Sequence, residues 1–169
     1  IWQGEPEEDT RIFTYQDLHR EVCKFANVLK TQGVKKGDRV FTYMDRTPEQ
    51  YIALLGALKM GGVIGPLFSA FGPDAVKDRL GDCEAKVLIT TPRLVKTVHE
   101  VLKDLPALDT IIIVNRRGVP YDLKEKEVSY ETLMNTAPYE FEIEKTHKED
   151  YAIIHYTSGT TGKPKGVVH

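Results

Sequence analysis

Apolar residues along this chain switch repeatedly between helical and strand spacing. Leu18, Val22, Phe25 and Leu29 recur at i, i+4, i+7 and i+11 between Thr14, which is placed to cap a helix with Asp17 three residues on, and Gly33, which stops it. Arg39 to Met44 predicts a short strand. Thr47-Pro48-Glu49 then supplies a cap, a first-turn proline and an early acid for a helix reaching about Met60. Tyr51, Ile52, Leu54, Leu55 and Leu58 cover most of that helix's circumference, as in a helix packed on several sides. The alternation continues with a strand at Val63 to Phe68, a helix at Pro73 to Cys83, a strand at Lys86 to Thr90 and a helix at Pro92 to Leu105. The run Ile111-Ile112-Ile113-Val114, within Thr110 to Asn115, suits a strand covered on both faces.

Beyond that point the pattern loosens. Arg116 to Lys126 is charged and turn-rich and reads as a surface excursion, Ser129 to Asn135 as a short helix, and Pro138 to Asp150 as a charged connector. Tyr151 to Tyr156 reads as a strand, and Pro164 and Gly166 before Val167-Val168 read as a turn into another. Strands and helices taking turns over short connections predict an α/β fold, a doubly wound, mostly parallel sheet with helices on both faces. The expected organisation is α/β layers over 1–137, a connector over 138–150, and a strand, loop and strand over 151–169.

Composition narrows the function classes. The chain has 169 residues, with 23 Lys and Arg against 25 Asp and Glu, and so lacks the basic excess that nucleic-acid binding requires. Hydrophobic residues at 41% allow a sizeable core. The apolar window Tyr51 to Gly72 is broken by Lys59, Gly61-Gly62 and Pro66, which predicts a buried helix and strand rather than a membrane span of about twenty residues. Two cysteines, Cys23 and Cys83, form neither a disulfide framework nor a metal spacing, and the default setting is reducing and cytoplasmic. The start, Ile1 to Asp9, is acidic, without a leader's basic and apolar regions, and the missing initial methionine points to a piece of a longer protein. His19, His99 and His147 have no partner at metal spacing, and His155 has no nucleophile beside it.

The stretch richest in chemistry is Tyr156-Thr157-Ser158-Gly159-Thr160-Thr161-Gly162-Lys163-Pro164-Lys165-Gly166. Its glycines let the backbone approach a ligand, its hydroxyls donate, its lysines bring positive charge, and no carboxylate opposes them. A solvated basic turn is one reading. A Walker-type loop is another, but that pattern needs four residues between its glycines and then Lys before Ser or Thr, whereas Lys163 precedes Pro164. No Gly-x-Gly-x-x-Gly occurs for a dinucleotide fold.

These eleven residues are similar to the phosphate-binding signature of the acyl-adenylate-forming (AMP-binding) superfamily. Thr14-Tyr15, Gly37-Asp38-Arg39-Val40, the Pro48 to Gly62 helix and Glu84 to Thr90 resemble that superfamily too, and Phe68 to Leu80 most resembles its acetyl-CoA synthetases of the Bacillus type. The resemblance implies a portion of a large N-terminal domain and two half-reactions, in which acetate and Mg-ATP give acetyl-AMP and diphosphate, and coenzyme A then takes the acetyl group. It carries contact with the ATP phosphates to Thr157, Ser158, Gly159, Thr160, Thr161, Gly162, Lys163, Lys165 and Gly166. It carries the nucleotide end of coenzyme A to Phe68, Ser69 and Ala70, where the family has two glycines in place of Ser69 and Ala70. For the same end it matches Lys96 and His99, where arginines are more usual; the plainer reading of Lys96 is a solvated helix position. ATP, Mg2+ and coenzyme A are the implied cofactors, with small-molecule substrates, no nucleic acid, no membrane and self-association as the partner expectations. The family's catalytic lysine, Mg2+ glutamate and acyl pocket match nothing in these residues. Alternatives are a medium-chain acyl-CoA synthetase, another carboxylate-adenylating enzyme, or a non-catalytic nucleotide-binding module.

Overall fold

The computed structural model describes residues 1–4, 9–157 and 162–169. Its centre is a five-stranded sheet built from β3 (Arg39–Tyr43), β4 (Val63–Leu67), β5 (Val87–Thr90), β6 (Thr110–Ile113) and β7 (Glu127–Ser129), in the order β4-β3-β5-β6-β7 with every pairing parallel. The chain winds outward from β3 to β4, crosses back past β3 to β5 and continues the other way. The sheet is therefore doubly wound, with its switch between β3 and β5.

Strand alternation explains how continuous apolar runs serve two cores. Val40, Ile64, Val87, Ile89 and Ile112 face a layer made by α1 (Tyr15–Thr31), α2 (Pro48–Lys59) and α5 (Tyr130–Thr136). Their neighbours Phe41, Tyr43, Leu88, Ile111 and Ile113 face α3 (Pro73–Asp82) and α4 (Val95–Val101). Every one of these strand residues is at most 1% exposed, so burial on both faces rather than amphipathic alternation produced the pattern. Gly65 lies opposite Phe41 in the β3–β4 register, and a Cβ there would come within 2.2 Å of the Phe41 ring.

The helix signals hold with two exceptions. Thr14 Oγ1 accepts from the Asp17 N–H at 3.1 Å while Asp17 Oδ2 accepts from the Thr14 N–H at 3.0 Å, a complete capping box. Thr47 occupies the equivalent place before α2 but makes no cap bond, and its hydroxyl is buried without a protein partner. The helix expected over Pro92 to Leu105 is shorter: Leu94 and Val95 both donate to Thr91 O, making a turn before α4, and Leu102–Asp104 closes it as a 3-10 turn.

Three further strands were not foreseen. The excursion Arg116 to Lys126 leads into β7, whose buried glutamate does not look like a strand residue. Near the start, β1 (Trp2–Gln3) and β2 (Thr10–Arg11) pair antiparallel. Asp9, beside them, forms a two-pronged ion pair with Arg116. The connector carries no helix or strand, yet it is tied down: Asn27 Nδ2 donates to Pro138 O at 2.9 Å and Glu140 O at 2.8 Å, and Glu144 N–H donates to Lys59 O at 3.0 Å.

The last strand begins later than expected, as β8 (Ile154–Thr157), and turns back antiparallel into β9 (Lys165–Val168). Just before β8, the Ile64 N–H donates to Ala152 O at 2.9 Å and Ile153 bridges Ile64 in parallel, which sets the hairpin against the β4 edge of the sheet. No helix among the described residues is long and apolar enough to cross a membrane, and the window Tyr51 to Gly72 holds α2 and β4.

Candidate functional site

Of the eleven-residue motif, Tyr156 and Thr157 lie on β8 and Lys165 and Gly166 on β9. Thr157 ends β8 and faces Lys165 at the start of β9; both are exposed. Gly162 has φ +98°, a left-handed conformation that favours glycine, and Lys163 beside it is exposed. Gly166 lies instead within β9 opposite Tyr156, where a Cβ would come within 3.3 Å of the ring, so this glycine serves close packing of the two strands. Ser158, Gly159, Thr160 and Thr161 lie outside the described residues. Every residue of β9 is exposed, and the described end of the motif runs into a strand at Lys165 rather than into the helix of a Walker site.

Tyr156 fastens this hairpin to the body. Its hydroxyl donates to Asp82 Oδ2 at 2.7 Å, its ring lies 6.5 Å from that of Phe41, and the Arg79 guanidinium sits 5.8 Å from its centroid. Burial and the Asp82 carboxylate push the phenol well above its ordinary value, so it stays a donor. Cys83 packs alongside, its Sγ 3.0 Å from Arg79 O. Burial pushes that thiol up to about 11, which makes it inert as a nucleophile.

A second feature lies where the doubly wound topology favours ligands, beyond the carboxyl ends of the strands. A cleft of about 980 Å³ is walled by the residues that follow β3, β4, β5 and β6, with Trp2 to Gly4 at its rim. Phe68 and Ser69 line it; Ala70 and Lys96 do not. Phe68 is 63% exposed, and the Ser69 hydroxyl bonds to Asp45. The basic groups of the wall are Arg46, Arg93, Arg116 and Arg117. Arg93 pairs with Asp45 at 2.7 Å, and Arg116 lies under Trp2, 4.4 Å from its ring. Burial favours protonation of Asp45, and its bonds from Arg93 and Ser69 outweigh that, holding the carboxyl below the ordinary range.

Three further side-chain oxygens of the wall, Thr47 Oγ1, Thr91 Oγ1 and the Glu49 Oε2 left over from the Arg11 ion pair, are buried without a protein partner. A ligand entering there would meet the guanidinium groups of the wall. Sequence reasoning missed Arg93 and Arg116 because their positions mean nothing until the strand ends are known. The proline and turn that precede α4 were the available signal for Arg93. None of the described motif residues lines this cleft.

Lys96 is exposed on α4, its solvated reading. His99, on the same helix, sits in a structural network: its Nε2 is 2.6 Å from Glu127 Oε1, while the Tyr121 hydroxyl and the Lys124 N–H donate to Glu127 Oε2. Burial opposes ionisation of Glu127, and those three bonds overcome it, holding the carboxyl below its usual range. His155 is exposed on β8, its ring 6.3 Å from that of His169. Among the described residues no group of three His, Cys, Asp or Glu is placed to hold a metal ion. Cys23 and Cys83 are free thiols.

The family model of the AMP-binding enzymes matches residues 3–169. The chain belongs to that family. An acetyl-coenzyme A synthetase of Novosphingobium aromaticivorans is 37% identical over 180 aligned positions, and one of Rubrobacter xylanophilus is 40% identical over 179. Each alignment covers 100% of this chain and 28% of the relative, so the chain spans under a third of their length. The crystal structure of an anthranilate CoA ligase in complex with anthranoyl-AMP superposes with a TM-score of 0.86 at 27% identity, over 94% of this chain and 30% of that one. The AMP-binding enzyme family thus accounts for the parallel sheet and the hairpin together.

Proposed function

We propose that this chain is the phosphate-gripping portion of the large N-terminal domain of an acetyl-CoA synthetase, an AMP-forming acid–thiol ligase that works in the cytoplasm. The observation that carries the reading is the placement of the motif's described residues on and beside an exposed antiparallel strand pair, open to solvent at Thr157, Gly162, Lys163 and Lys165. The whole-chain likeness to acetyl-coenzyme A synthetases supports acetate as the acid.

In this reading a carboxylate oxygen of acetate attacks the α-phosphorus of Mg-ATP, the P–O bond to the β-phosphate breaks, and diphosphate leaves. The thiolate of coenzyme A then attacks the acetyl carbonyl and AMP departs. The first step asks the protein to hold charge that grows on the departing diphosphate, a task of positioning and electrostatics. Thr157 and the backbone at Gly162 donate to phosphate oxygens, and Lys165 and Lys163 balance their charge. Mg2+ arrives with the nucleotide. Coenzyme A enters the cleft beyond the strand ends, its nucleotide end against Phe68 and Ser69 and its phosphates toward Arg93 and Arg116, which take the role first assigned to Lys96. Exposed Val167 and Val168 on β9 give the 169-residue chain a surface for self-association.

Titration calorimetry of Mg-ATP into the chain tests the reading. Lys165→Ala should weaken binding about tenfold or more, since a hydrogen bond to a charged group contributes roughly 1.5–3 kcal/mol. Equal affinity for the variant and the parent chain overturns the reading. The chain alone should give no ATP–diphosphate exchange above background.

A further inference from the structure

Arg79 is a half-buried cation on α3 that makes no ion pair among the described residues. Its Nη1 donates to Ala75 O at 2.8 Å, one turn back on its own helix, and its Nε is buried without a partner. What the guanidinium has instead is two aromatic rings, with Phe71 4.1 Å from its carbon and Tyr156 5.8 Å. A planar, weakly hydrated cation suits such a place; a lysine ammonium does not.

The two rings belong to different parts of the molecule. Phe71 lies in the segment after β4, meets Phe68 edge-on at 5.8 Å, and accepts the Tyr43 hydroxyl on its carbonyl at 2.5 Å. Phe68 is a wall of the cleft. Tyr156 belongs to β8 and is pinned a second time by Asp82, three residues beyond Arg79 on α3. One helix therefore reaches from the cleft wall to the base of the hairpin through a single side chain.

We propose that Arg79 is a positioning residue that couples the Phe68–Phe71 segment to the β8–β9 hairpin, so that the cleft wall and the motif-bearing strands hold their places together. That these two parts meet coenzyme A and ATP rests on the function proposed above; the coupling itself does not.

Amide hydrogen exchange of the 169-residue chain tests it, read at Ile154–Thr157 and Lys165–Val168 with the buried α1 and α2 amides as internal control. Arg79→Lys keeps the charge and loses the stacking plane. Phe71→Leu removes the far ring, and Phe71→Tyr keeps it. Each of the first two should speed hairpin exchange about fivefold, the factor one partly buried cation–π contact contributes. The double variant should be no faster than either single one, Phe71→Tyr should match the parent chain, and α1 and α2 should not change.

Hairpin exchange unchanged in both single variants, or a double effect equal to the product of the two, or acceleration spread evenly over α1 and α2, overturns the coupling. Parallel titration with Mg-ATP separates the two ideas. A parent chain that binds no nucleotide, yet whose hairpin responds as expected, removes the proposed function and leaves the coupling standing. Nucleotide binding beside an unresponsive hairpin does the reverse.

Discussion

The central sheet and the terminal hairpin solve opposite problems. In β5 and β6 every residue is buried, with helices pressed on both faces. In β9 every residue is exposed, and the hairpin meets the body through the Ile64–Ile153 bridge and the ring of Tyr156. A scaffold gains stability by excluding water on all sides, whereas a strand pair that serves the polyphosphate contact proposed above leaves its donors uncovered. On that proposal stability and ligand contact fall to different residues, and substitutions should separate them.

The sharpest way to break the contrast is Phe41→Ala. It empties the scaffold beneath Tyr156 and should cost about 3–5 kcal/mol in denaturant unfolding. A loss under about 1 kcal/mol would mean that the sheet core is less tightly filled than its burial implies. Next comes Glu127→Gln, which should cost roughly 1.5–3 kcal/mol near neutral pH, since the amide carries no charge and keeps a single accepting oxygen for the three partners Tyr121, Lys124 and His99.

The same group gives a pH signature. Its carboxyl is held below the ordinary range in the fold, so the stability it contributes is complete above the unfolded group's value and is lost as pH falls through the folded one. Melting temperature should therefore fall on acidification with a shallower slope in Glu127→Gln than in the parent chain; parallel slopes would remove Glu127 as the cause.

Thr14→Ala should cost about 1 kcal/mol because a complete capping box is lost, while Thr47→Ala should stay within about 0.5 kcal/mol because no cap bond exists there. Equal costs would contradict the difference between the two caps. Smallest of all, Val168→Lys on β9 should leave unfolding unchanged within about 0.5 kcal/mol, since that side chain already faces water. By light scattering it should reduce self-association of the chain.

How much of this could be read in advance follows from which forces write themselves into local sequence. The strands β3 to β6 and the layered order were legible because each buries a run of apolar residues between recognisable helix starts. The box at Thr14 was legible for the same local reason. Thr47 carries the same signal, yet its hydroxyl turns into the cleft wall, a tertiary preference that no three-residue pattern records.

β7 was missed because a buried glutamate made tolerable by three donors looks polar on paper. The motif residues were legible as a contiguous string, and the strand expected after Pro164 and Gly166 is matched by β9, which begins at Lys165. Asp45, Arg93 and Arg116 are scattered in sequence and meet only because parallel strands end side by side.

Gly65 beside Phe41 has a last consequence. Where both sides of a sheet are dry, sliding one strand by a single position swaps its inward residues between two equally oily layers, so greasiness alone is a poor guide to alignment. A ring that fits only over the one neighbour lacking a side chain acts as a notch on a ruler, and it fixes where β4, and with it the bridge to the hairpin, comes to rest.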